Sequence, residues 1–171
     1  YKAAGLNVTI DAGNGSGGTV QRVASGTYDM GFADLAALME FHANNADAPN
    51  KPVAVMMVYN NTPAAVLALK KSGITKPSDL NGKKLGAPVF DAGRRGWPIF
   101  AKANGIKDVA WTSMDPPLRE TMLARGDVDA ITGFSFTSLL NLEARNVKAE
   151  DVVIIPYASN GVKLYGNVII A

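Results

Sequence analysis

The chain has 171 residues, an apolar fraction of 47%, a charged fraction of 19% and a formal net charge of +2. Those values belong to a globular protein and exclude a disordered chain, and the small, dispersed positive charge leaves no footprint for nucleic acid. Cysteine is absent, which removes disulfides, thiolate metal sites and thiol nucleophiles, and no stretch approaches the ~18 consecutive apolar residues of a membrane span.

In chain order, residues 1–5 read as the end of a helix stopped by Gly5, with no signal peptide ahead of it. Residues 6–10 alternate and predict a strand, followed by the glycine-rich loop Gly13-Asn14-Gly15-Ser16-Gly17-Gly18 and a helix over 19–25. Gly26 ends that helix, residues 30–33 form a short buried strand, and Asp34 caps a helix running to about Asn44. The continuous apolar run 53–58 predicts a strand covered on both faces, with Asn61 and Thr62 in the turn after it. Further strands are expected at 64–69 and 84–88, with one helical turn at 77–80 and a tight Asn81-Gly82 turn between them. Asp91 then opens a helix to Ala103, in which Pro98 belongs to the first turn or marks a kink. Strands at 109–112, 128–131, 152–155 and 168–170 alternate with helices at 118–124 and 136–145. Only Ala171 follows the last strand, and both ends read as cut from something longer.

Part of this pattern occurs twice. The run Val23-Ala24-Ser25-Gly26-Thr27-Tyr28-Asp29-Met30-Gly31-Phe32 has a counterpart, Leu123-Ala124-Arg125-Gly126-Asp127-Val128-Asp129-Ala130-Ile131-Thr132, one hundred positions later. Each is a helix stopped by glycine, a turn carrying an aspartate and a buried strand. Two such α/β units predict two lobes around a cleft, each a mostly parallel sheet flanked by helices. The expected division is 1–85 with 166–171 for the first lobe and 86–165 for the second, with crossings near 85–88 and 165–167.

The single histidine, His42, lies in a predicted helix without a patterned partner, and one histidine without cysteine makes no zinc site, so the sequence offers no catalyst and no metal. The glycine loop lacks the Gly-Lys-Ser/Thr ending of a P-loop and a distinct acidic partner for a dinucleotide. Ser16, Gly17, Gly18 and Thr19 nevertheless offer amides and hydroxyls where a strand gives way to a helix, the place where open α/β sheets bind ligands. The same reasoning selects Asp34, whose other role is an N-cap, then Asn61 with Thr62, and Asp91 with Gly93 and Arg94. Arg94 opposes the dipole of its own helix, and either Asp91 or a bound anion would compensate it. Asp115, Gly133, Phe134 and Ser135 complete the second rim, with Phe134 or Phe136 placed to stack on a planar ligand. Trp97 shares the helix of the arginines and is placed to wall the cleft, Trp111 alternates within a strand as core, and Tyr157 follows a strand end.

Together the segments 23–34, 78–86, 91–95, 126–130 and 165–167 resemble solute-binding proteins of ABC importers of the nitrate, sulfonate and taurine type, a group that includes binders of thiamine pyrimidine precursors. The resemblance implies a two-lobed α/β fold of the type 2 periplasmic-binding-protein (Venus flytrap) kind, with an incomplete first lobe. It implies a periplasmic or membrane-tethered extracellular protein that holds a small organic anion in the cleft, without a cofactor, and delivers it to a permease in the inner membrane. The open first lobe carries the expectation of pairing with a second copy. The alternatives are a pyrimidine-precursor binder or related synthase, and the effector-sensing domain of a transcription regulator.

Overall fold

The computed structural model describes residues 1–171. The first part of the chain holds α1 (Ser16–Ala24), β1 (Gly31–Asp34), α2 (Leu35–Asn44) and β2 (Ala54–Met57). The middle holds β3 (Ala64–Leu69), β4 (Lys83–Ala87), α3 (Ala92–Ala103), β5 (Val109–Ser113) and α4 (Arg119–Arg125). Then come β6 (Ala130–Phe134), α5 (Ser135–Glu143), β7 (Val152–Pro156) and β8 (Asn167–Ile170). The internal repeat is a repeat of structure: Gly26 and Gly126, at φ 74° and 84°, close α1 and α4 in the left-handed conformation that glycine adopts without a Cβ penalty. β1 and β6 follow, and each passes directly into a helix.

The strands form two sheets, β1-β8-β2 and β5-β4-β6-β3-β7. Strand directions depart from the mostly parallel expectation. β8 is antiparallel to both its neighbours, and β3 is antiparallel to β6 and β7, leaving β4 with β5 and β6 as the parallel pairs. After β2 the chain leaves the small sheet, and β3 enters the large one between two later strands; apolar periodicity carries no direction, so the sequence alone did not reveal this.

Sheet membership places β3 and β4 together, with no sheet boundary between them. A division at 85/86 would cut through β4, whereas β3 and β4 both pair with β6 in the large sheet. The chain passes between the sheets at 58–63 and again at 157–166. These two crossings are tied to each other: the amides of Val58 and Tyr59 donate to the Asn167 carbonyl, Gly166 donates to Tyr59, and Thr62 donates to Leu164. Two hydrogen-bonded crossings that must bend together have the geometry of a hinge.

Side-chain alternation explains the large sheet. Ala64, Val66 and Ala68 of β3 face Trp97 and Phe100 of α3, while Ala65, Leu67 and Leu69 face Leu123 of α4 and Leu142 of α5. Both faces of β3 are therefore covered and all six residues are buried. The small sheet is covered on one face only, where Ala33, Val168 and Ile170 pack against Val20 and Val23 of α1 and Ala37 and Leu38 of α2. β2 is an edge strand with all four residues exposed, against the expectation of double coverage. Residues 6–10 form no strand, and Leu6, Val8 and Ile10 stand exposed, because alternation supplies a strand-like pattern without supplying a ladder partner.

Candidate functional site

β1, β4 and β6 each run toward the junction between the sheets and give way to a helix, so three helix N-termini converge there. Aspartates cap two of them. Asp34 Oδ1 accepts the Ala36 amide at 2.9 Å, and Asp91 Oδ1 accepts the Arg94 amide at 2.9 Å. The N-termini of α1 and α5, at Gly15 and Phe134, have no side-chain cap.

On the large-lobe side, Asp91 anchors a buried network. It accepts Thr132 Oγ1 at 2.7 Å and pairs with Arg119 Nη1 at 3.3 Å. Arg119 Nε reaches Glu120 at 3.0 Å, and Ser138 donates to the same Glu120 oxygen at 2.8 Å. Gly133 is glycine because a Cβ there would lie 2.5 Å from Ser138 Oγ and 3.1 Å from the Arg119 guanidinium carbon. Burial pushes the Asp91 carboxyl above the usual range, opposed by Arg119, Thr132 and the amides of Arg94 and Gly93.

On the small-lobe side, Ser16 Oγ accepts the Asp34 amide at 3.0 Å, tying the start of α1 to the start of α2. Burial raises the Asp34 carboxyl, the Ala36 amide opposes the rise, and the charge of Asp91 on the other lobe adds to it. The two capping carboxylates thus lie within each other's field.

The remaining expected contacts divide. Ser16 and Gly17 are buried in the first turn of α1, which begins three residues before the expected start at 19. Gly18 stays close to Asn14, and Thr19 Oγ1 donates to the Gly15 carbonyl. Thr62 is buried and caps β3 through the Ala64 amide, while Asn61 is exposed beside it in the first crossing. Asp115 is exposed before a short 3-10 turn, outside the buried network. Gly93 is buried, and its carbonyl accepts the Tyr157 hydroxyl at 2.8 Å. Arg94 lies over the Trp111 ring at 4.9 Å and donates through Nη1 to Ser113 Oγ and the Ala87 carbonyl. Phe134 and Phe136 meet Tyr59 edge-on at centroid distances of 6.3 and 5.9 Å, and Ser135 donates its amide to the Pro63 carbonyl. Trp97 belongs to the core rather than the cleft wall, packed on Phe100 and Trp111. His42 bonds the Pro52 carbonyl and faces no acidic or metal-binding partner; no group of three or more metal-ligating side chains forms.

The structure adds residues that sequence reasoning missed. Arg95 grips Glu40 of α2 in a two-point ion pair, Nε to Oε2 and Nη2 to Oε1, both at 2.9 Å. Its guanidinium also lies against Gly17, and the Phe90 carbonyl sits where a Gly15 Cβ would be, at 2.5 Å. The large lobe therefore rests directly on α1 and α2. Arg119, Tyr59, Phe32 and Asn167 also stand at this junction. No local pattern marks them, since each acquires its role from a partner distant in sequence.

Two sheets joined by two linked crossings, with capped helix N-termini from both meeting at the junction, define the class: the two-lobed substrate-binding-protein fold. The chain belongs to the NMT1/THI5-like family, whose model matches residues 1–171. Among solved structures it resembles a protein of Bordetella bronchiseptica RB50 (TM-score 0.71, 22% identity, 99% of this chain and 55% of that one). It also resembles the periplasmic aliphatic sulphonate binding protein SsuA from Escherichia coli (TM-score 0.68, 18% identity, 92% and 49%). A third is the alkanesulfonate-binding protein SsuA from Xanthomonas axonopodis pv. citri, bound to MOPS (TM-score 0.66, 19% identity, 92% and 52%). The chain spans about half the length of these proteins. No curated protein sequence matches it.

Proposed function

We propose that this chain is the hinge-bearing portion of the solute-binding component of an ABC importer. It captures a small organic solute between its lobes, does not turn it over, and presents the closed form to a membrane permease from the periplasm or the outer side of the cell membrane. The observation that carries this reading is the junction itself, where capped helix N-termini from both lobes meet beneath a two-strand hinge. A ligand touching both rims favours the state in which they meet, so binding drives closure.

The solute is an organic acid such as a sulfonate or carboxylate. The N-termini of α1 and α5, which no side chain caps, offer first-turn amides to an anion, apart from that of Ser135, which the Pro63 carbonyl takes. Arg94 supplies the charge: both of its hydrogen bonds use Nη1, leaving Nε and Nη2 for a ligand. Ser16, Gly17, Asp91 and Gly133 shape the site around it. The sulfonate-binding names of two structural neighbours support this chemistry.

The test is a thermal-shift screen of the full-length protein against sulfonates, carboxylates, nitrate and pyrimidines, with small-angle scattering on each hit. A true ligand at about a hundred times its Kd stabilises by about 2.7 kcal/mol and shrinks the particle. Arg94→Ala should abolish most of the shift. Hits that leave the radius of gyration unchanged, or that are chemically consumed, would overturn the reading.

A further inference from the structure

The junction holds an unmatched set of acceptors. Asp34 and Asn167 are directly opposite in the antiparallel β1–β8 register, so their side chains leave the same face of the small sheet. Asp34 is 5% exposed and Asn167 is 4% exposed. Asn167 Oδ1 is the one buried side-chain polar atom without a hydrogen-bond partner. Asp34 spends Oδ1 on the Ala36 amide, and its Oδ2 makes no hydrogen bond or ion pair. A buried orphan acceptor beside a half-used carboxylate is costly unless a donor arrives.

No side-chain donor of the protein, the free Nε and Nη2 of Arg94 included, bonds Asn167 Oδ1 or Asp34 Oδ2. Arg95 is held by Glu40, and Arg94 by Ser113, the Ala87 carbonyl and the Trp111 ring. Arg119 is shared between Asp91 and Glu120, so the large-lobe network is already negative before Asp34 is counted.

Aromatic rings stand on the same face. Phe32 is two residues before Asp34 on β1, opposite the face that packs on α1 and α2. It meets Tyr59 edge-on at 6.0 Å, and Tyr59 in turn meets Phe134 and Phe136 from the other lobe. The Tyr59 amide donates to the Asn167 carbonyl, which ties the backbone of this aromatic group to the residue that carries the orphan acceptor. Phe32 and Phe136 are 45% and 42% exposed, so their rings remain open to a ligand. Ring faces attract cations, and a carboxylate among open rings suits a positively charged nitrogen better than an anion.

We propose that Asp34 and Asn167, walled by Phe32, Tyr59, Phe134 and Phe136, form a subsite for a cationic nitrogen group, an ammonium or its alkylated form, on the transported solute. This rests on the reading of the junction as the solute site and assigns charge to one end of that solute. The cation donates to Asp34 Oδ2 and Asn167 Oδ1, relieves the repulsion between Asp34 and Asp91, and touches rings from both lobes. It therefore binds the closed form better than the open one.

The experiment compares matched probes on the full-length protein by calorimetry, with hydrogen exchange to locate them. The pairs are choline against its neutral carbon isostere dimethylbutanol, and γ-aminobutyrate against γ-hydroxybutyrate; butanesulfonate is the purely anionic probe. The expected result is that the member of each pair bearing the cationic nitrogen binds about tenfold or more tightly, with protection at residues 32–36, 59 and 166–168. Asp34→Asn, which retains an N-cap oxygen, should erase that preference. Phe32→Leu, at an exposed site with little bearing on folding, should weaken the probes bearing a cationic nitrogen several-fold more than it weakens butanesulfonate. Equal binding within both pairs, or a preference that survives Asp34→Asn, overturns the proposal. Butanesulfonate binding at the junction in that case leaves the solute-binding reading standing. Protection elsewhere on the surface sinks both.

Discussion

The Arg95–Glu40 pair makes the lobe contact measurable. It joins α3 to α2 with two parallel hydrogen bonds of 2.9 Å, and its side chains are 33% and 45% exposed. Exposed ion pairs contribute about 0.2–1 kcal/mol, and bidentate geometry places this one toward the upper end. Because the partners lie on different lobes, that energy acts on the closed state alone. Glu40→Gln should then lower the closed-to-open ratio of the ligand-free protein by up to about fivefold, since 1 kcal/mol is nearly twice RT. If the closed form is the minor one without ligand, apparent affinity falls by the same factor. The assay is interlobe distance by fluorescence transfer, with labels on α2 and α4, together with solute Kd. A double-mutant cycle with Arg95→Gln isolates the pair from either side chain's other contacts. The effect should shrink as salt rises above about 0.1 M, where the Debye length falls below about 10 Å. Unchanged distance distributions and Kd in Glu40→Gln at low salt would refute the idea that this pair weights closure.

Asp34→Asn should raise the melting temperature at about pH 7 while impairing solute binding. The folded-state pKa of Asp34 lies above its ordinary 3.8, so the folded protein holds this proton more tightly than the unfolded chain, and stability falls as pH rises from the unfolded value through the folded one. Asparagine keeps the cap and removes that penalty, so the gain over wild type should vanish in acid below the ordinary carboxyl range; a gain independent of pH would contradict the assignment. Tyr157→Phe removes the buried bond to the Gly93 carbonyl while keeping the ring stacked on Phe100 at 4.5 Å. Denaturant unfolding should show a loss of about 1 kcal/mol, and a loss near zero would mean the Gly93 carbonyl is fully served within α3.

A carboxylate retained where burial and a neighbouring charge both oppose its ionisation is a mark of a site selected for binding rather than stability. The binding role proposed for Asp34 accords with its raised carboxyl. Asp79, by contrast, is half-buried and lowered by the Thr75 amide, as expected of a carboxylate that only shapes a turn.

The repeated glycine-stopped helix and following strand, the caps Asp34 and Asp91, the strand at 64–69 and the two-lobed class were legible from residue order, whereas double coverage was expected of 53–58 and belongs to β3. Each depends on neighbours within a few positions, through 3.6- and 2-residue periods and cap chemistry. The tertiary structure alone decided which ladder each strand joins. It set β3 antiparallel to β6 and β7 and left residues 6–10 unpaired, because alternation marks a face and is silent about direction and partner. It also decided which charges cancel. Arg94, Arg95 and Arg119 look alike as cations in sequence, yet they settle on an aromatic ring, on the opposite lobe and between two carboxylates. Pairing of that kind is set by where long side chains end in space, and so the acceptors left over at Asp34 and Asn167 appear only once the chain has folded.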